Sequence, residues 1–188
     1  MSTQTWSQCI TAPTAGTAIT NTTSLLSLLP STAIYTFPVN FFSYIGQKFR
    51  LRASGVITTS AAGPVLNIIT ALTIGIEGAI LFNSQISTVA SLNSVAWDYE
   101  CNFTLRSFGS QSGGLPTNFW YDTRFSSYAV SGSPAIGAGG CFTNYSTTLL
   151  SSSNIDLSQP VVLDLKAAWG TANTSSIQLV DYCLEATN

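Results

Sequence analysis

No histidine occurs anywhere in the 188 residues. That absence removes histidine-based catalytic triads, most zinc sites and the commonest general base of enzymes. Charge is almost as scarce. Only 7% of residues are charged, against roughly 25% in an average soluble domain, whereas active sites concentrate titratable groups. The six basic residues form no run, and Lys48, Arg50 and Arg52 come nearest, placed on one strand face by simple alternation. Counterion release from phosphates needs clustered Lys and Arg, so the sequence argues against nucleic-acid binding.

Other signatures are missing too. The four cysteines (Cys9, Cys101, Cys141, Cys183) include no Cys-x-x-Cys pair, and all four are expected to be reduced thiols. No Gly-x-Ser-x-Gly elbow singles out one of the many serines. The stretch Gly132 to Gly140 lacks the Lys-Ser/Thr of a phosphate-binding loop. Mean hydropathy is positive. Even so, the most apolar stretch, Val65 to Phe82, is broken by Asn67, Thr70, Thr73, Gly75, Glu77 and Gly78, short of the roughly 18 apolar residues of a spanning helix. The start, Met1 to Trp6, has neither the basic residues nor the apolar core of a signal peptide. The expectation is a protein made in a cytoplasm, with no membrane partner, no metal, no cofactor and no enzymatic activity.

What is present is alternation. Trp97, Tyr99, Cys101, Phe103 and Leu105 interleave with Asp98, Glu100, Asn102, Thr104 and Arg106, the pattern of a strand with one dry and one wet face. Phe49, Leu51, Ala53, Gly55 and Ile57 repeat it, as do Ile68, Thr70, Leu72, Ile74 and Ile76, then Val161, Leu163, Leu165, Ala167 and Trp169. In the last run Ile177 and Leu179 share one parity and Val180, Tyr182 and Leu184 the other, which predicts a bulge near Leu179–Val180. Shorter strands are expected at Tyr35–Phe37, Ala79–Asn83, Phe119–Val130 and Gly140–Tyr145. Turn-formers separate these runs, at Ser60–Pro64, Gly75–Gly78, Gly109–Pro116 and Ser131–Gly140. Many short strands with such punctuation predict an all-β fold, a jelly-roll-like antiparallel β-sandwich.

Residues 1–30 carry no charge and little periodicity, and they read as an N-terminal extended arm on a single sandwich domain of residues 31–188. Leu25 to Leu29 could form one helical turn stopped by Pro30. Trp6, Leu25, Leu26, Leu28 and Leu29 are the arm's candidate partner contacts. Asp98 with Glu100 is the closest carboxylate pair, read as a solvated face in preference to an acid/base pair or divalent-ion clamp. In Phe119-Trp120-Tyr121 consecutive aromatics must point to opposite faces, so at least one leaves the core. Trp120 is therefore a further candidate contact, either in a covered interface or as a stacking platform for a sugar ring.

Several blocks resemble tailed-bacteriophage jelly-roll virion surface proteins. They are Ile45 to Thr59 (IGQKFRLRASGVITT), the apolar strand Leu66 to Ile76, Trp97 to Gly109 (WDYECNFTLRSFG), and Ala167 to Asn173 followed by Ser176 to Leu179. The anchors are Gly46, Arg50, Trp97, Arg106, Gly109 and Trp169. The resemblance covers most of the chain but not its first 40 residues, and no catalytic residue comes with it. It implies a structural virion protein, commonly a homotrimer. The leading reading is a capsid decoration (cement) protein on the head, docked on the major capsid protein or another virion protein. The alternative is a tail- or fibre-associated receptor- or carbohydrate-binding module.

Overall fold

The computed structural model of the chain describes residues 15–74, 77–109, 117–131, 140–145, 150–152 and 155–187. Twelve strands and no helix are found among them, in two antiparallel sheets. The seven-stranded sheet runs β1 (Ile19–Thr20), β12 (Ser176–Thr187), β4 (Lys48–Thr58), β7 (Val95–Ser107) and β8 (Thr117–Ser127). Along the free edge of β8 lie β10 (Leu150–Ser152) and β9 (Gly140–Tyr145), one after the other. The five-stranded sheet runs β2 (Leu26–Ser27), β11 (Val161–Trp169), β5 (Val65–Ile74) and β6 (Glu77–Ser87), with β3 (Tyr35–Phe37) beside β2 on the edge of β11.

Consecutive strands β4 and β5 pair with β12 and β11, taken in reverse order. This nested pairing across two sheets is the wrapping of a jelly roll. The expected all-β, jelly-roll-like sandwich is therefore the fold of the chain.

The alternating residues meet between the sheets. Phe49, Leu51, Ala53 and Ile57 of β4 are buried there with Trp97, Tyr99, Cys101, Phe103 and Leu105 of β7, and with Val161, Leu163, Leu165, Ala167 and Trp169 of β11. Rings fill one end: Phe49 stacks on Phe103 at 5.2 Å, and Phe37 lies within 5.3 Å of Phe41, Phe42 and Phe49. Further along, Trp97 stacks on Phe125 at 5.8 Å and donates its Nε1–H to Val56 O at 3.2 Å. Gly55 makes room for that indole, since a Cβ there would come within 2.9 Å of the Trp97 ring and 1.9 Å of Gln178 O. Tyr99 Oη and Thr70 Oγ1 hydrogen-bond across the core, so the one polar member of the β5 set is satisfied.

The bulge predicted in the last strand is present, because the pairing of β12 with β4 shifts between Leu179 and Asp181. Ile177 and Leu179 point inward before it, Tyr182 and Leu184 after it. A one-residue slip flips every later side chain to the other face. The bulge thus turns Asp181, Cys183 and Glu185 outward.

Three expectations need correcting. The extended arm does not run to residue 30, because residues 15–30 are built into the sandwich. Gly16 N–H donates to Leu179 O at 3.0 Å, β1 pairs with β12, and the Trp169 indole N–H donates to Ile19 O at 3.2 Å. Leu25 to Leu29 is not a helical turn: β2 pairs with β11, and Leu28 N–H donates to Leu165 O at 2.8 Å. The segment shows no period because only two residues at a time pair with either sheet. Thr104, expected on a wet face, is buried. It lies between Lys48 and Trp120 in register, and long neighbours on both sides cover a short side chain.

Candidate functional site

Ten of the fourteen charged residues lie on four neighbouring strands of the seven-stranded sheet. Those strands bury their apolar sets, so the charges stand on the outer face. Register sorts them into cross-strand rows, in which directly opposed side chains are neighbours. One row reads Lys48, Thr104, Trp120. The next reads Glu185, Arg50, Asn102, Asp122. Cys183, Arg52, Glu100 and Arg124 form the third, and Asp181, Ser54, Asp98 and Ser126 the fourth. The third and fourth rows line an open groove of about 480 Å³.

The middle of this face is cross-linked. Arg50 Nε donates to Asn102 Oδ1 at 3.1 Å, while the Asn102 amide donates to Glu100 Oε1 at 2.9 Å and Asp122 Oδ2 at 3.4 Å. Glu100 also pairs with Arg50 at 3.6 Å and Arg52 at 3.4 Å, and Arg50 reaches Glu185 at 3.9 Å. Partial burial raises the Glu100 carboxyl, but the Asn102 amide bond and then the two arginines outweigh it and hold it below its ordinary range. The ends differ from the middle. Asp98, Asp181 and Arg124 have no ionic partner among the described residues, and Trp120 is 36% exposed.

Asp98 and Glu100 therefore do not act as one carboxylate pair. Glu100 is engaged with two arginines, Asp98 is open, and no cluster fit to hold a metal ion occurs among the described residues. Burial pushes the Cys101 thiol up to about 12, which makes it an inert filler of the core. The thiols of Cys9 and Cys141 fall outside the described side chains.

The candidate contacts part company. Trp6 lies outside the described residues. Leu28 and Leu29 are buried in the core and cannot meet a partner, whereas Leu25 and Leu26 are 45% and 48% exposed at the sheet edge. Within the aromatic triplet Phe119 is fully buried, Tyr121 is half-buried, and Trp120 points out onto the charged face. The rows themselves went unread in the sequence. The signal available was the even-numbered polar parity of β4, β7 and β8, but only pairing shows that those parities share one face.

No protein-family profile matches the chain, and no curated protein matches it. Solved structures resemble it at low identity. Lectin II from Ulex europaeus is 9% identical with a TM-score of 0.41, over 96% of this chain and 93% of the lectin. Lectin UEA-II complexed with galactose is 8% identical at 0.35, over 88% and 78%. The CBM2 module of the evolved Dit of Lactobacillus casei BL23 phage J-1 is 14% identical at 0.36, over 82% of this chain and 68% of the module. At such values no ligand passes from these proteins to this chain.

Proposed function

We propose that the chain is a non-enzymatic saccharide-binding module of a phage virion surface, with the outer face of the seven-stranded sheet as its binding face. The observation that carries this reading is the combination on one face of an exposed indole, Trp120, with Asp98, Asp181 and Arg124, hydrogen-bonding groups that have no ionic partner among the described residues. An aromatic face stacks on the apolar side of a sugar ring, while carboxylate and guanidinium groups take up its hydroxyls. Of the two features that fit decoration, low charge and an uncharged arm, the arm is shortened, since residues 15–30 are tied to both sheets.

Titration with soluble polysaccharide from bacterial envelopes should change the tryptophan fluorescence of the intact chain. Trp120→Ala should abolish that change and weaken binding at least tenfold, as for a binding hot spot. An intact chain whose signal no polysaccharide alters would overturn the reading.

Capsid decoration stays as a second reading because of one feature. Val39, Tyr44, Ile45 and Phe108 are 40–58% exposed around the β3–β4 loop and the end of β7, an apolar end suited to a protein neighbour. Electron microscopy of labelled particles separates the two, since decoration places many copies on the head and receptor binding a few on the tail. The proposed homotrimer is checked by sedimentation at micromolar concentration.

A further inference from the structure

On the saccharide-binding reading, we infer that the ligand is an extended, neutral or amine-bearing glycan held at two separated points. The geometry sets the length. Trp120 and Arg124 stand on the same face of β8, four residues apart, which is about 13 Å along a strand. That exceeds a single sugar ring. Between them lies the row Arg50, Asn102, Asp122, whose amide is already bonded to Glu100, Asp122 and Arg50. A group whose donors and acceptors are satisfied gains little from a ligand. The grip therefore falls on the ends: stacking at Trp120, and hydrogen bonds at Ser54, Asp98, Ser126, Arg124 and Asp181 in the groove.

Charge sets the class. Lys48 and Arg106 stand at the Trp120 end of the face, whereas the three rows beyond it set five carboxylates (Asp98, Glu100, Asp122, Asp181, Glu185) against three guanidiniums (Arg50, Arg52, Arg124), two of which Glu100 already engages. The open carboxylates Asp98 and Asp181 flank Ser54 from either side. A glycan carrying carboxylates would add like charge to the groove, whose lining holds four carboxylates and two guanidiniums, whereas hydroxyls donate to it and ammonium groups pair with it.

An array of linear glycans, from single rings to octamers in neutral, amine-bearing and carboxylated forms, tests both halves on the full chain. Signal should climb with length and be at least tenfold weaker on carboxylated glycans than on neutral ones of equal length. Trp120→Ala should reduce long glycans to the level of short ones. The double change Asp98→Asn with Asp181→Asn should erase any preference for amine-bearing over neutral glycans of equal length. Thermal melting of each variant confirms that it is folded. Single rings bound as well as octamers, or carboxylated glycans bound best, would overturn the inference and leave the saccharide reading standing. No binding to any glycan would remove both.

Discussion

The two outer faces of the sandwich answer the same problem in opposite ways. On the seven-stranded sheet the outer side chains are charged and partly exposed, and their ion pairs lie in water. On the five-stranded sheet Ile69, Ala71 and Ala168 are buried on the outer side of β5 and β11 although they stand apart from the core between the sheets. In the ionic pair there, Asp164 with Lys166 at 3.8 Å, the carboxylate is nearly enclosed while the lysine is about one-third exposed, and Asp164 Oδ1 also accepts from Ser27 Oγ at 2.6 Å. One face has polar groups to offer a ligand. The other spends them on holding β2 to β11.

The carboxylates register this difference. Burial is the largest influence on Asp164 and raises it above its ordinary value, and Ser27 and Lys166 only partly offset that. Glu100 moves the other way, because its amide and guanidinium partners overcome a smaller burial. A buried ion pair is weak support for stability, and an exposed pair contributes little more. The contrast therefore concerns position and function more than total stability.

The largest expected effect fixes the scale. Phe103→Ala, in the core beneath the charged face, should cost about 3–5 kcal/mol in urea denaturation. The comparison itself is tested next. Ile69→Ala on the five-stranded sheet should cost about 2–4 kcal/mol, and Asp98→Ala on the seven-stranded sheet no more than about 0.5 kcal/mol. Equal costs for these two would erase the distinction between the faces.

Asp164→Ala should cost about 0.5–1.5 kcal/mol by removing the bond to Ser27 Oγ, which keeps its bonds to Leu29, and the ionic partner of Lys166, with hydrogen exchange at residues 26–29 accelerated most. Asp164→Asn, which can still accept from Ser27, should cost less. If both cost the same, the bond to Ser27 is not what matters.

The smallest effects are those of pH, and they carry opposite signs. Glu100 binds its proton more weakly folded than unfolded, so its contribution is present above about pH 4.5 and is lost as pH falls through its lowered folded value. Asp164 binds its proton more tightly folded, so its contribution is present below about pH 3.8 and is lost as pH rises through its raised folded value. In urea midpoints taken between about pH 3 and 7, Glu100→Gln should flatten the acid-side loss. Asp164→Asn should remove the loss on the rising side. Slopes that both variants change in the same direction would contradict the assignment of the two sites.

By itself the sequence determined the strands and their inward sets. The alternation around Phe49, Trp97 and Val161 is a property of one strand's own pleat, and it needs no neighbour to be read. The parity change at Leu179–Val180 marked the bulge for the same reason. Tertiary structure alone decided the rest. Whether Glu100 meets Arg50 and Arg52, whether Thr104 is roofed by Lys48 and Trp120, and whether Leu28 is core or contact all depend on which strand lies alongside and in what register. Parity assigns a side chain to a face of its own strand. The face becomes a site only when four distant segments of chain, β12, β4, β7 and β8, pair and bring their outward rows together.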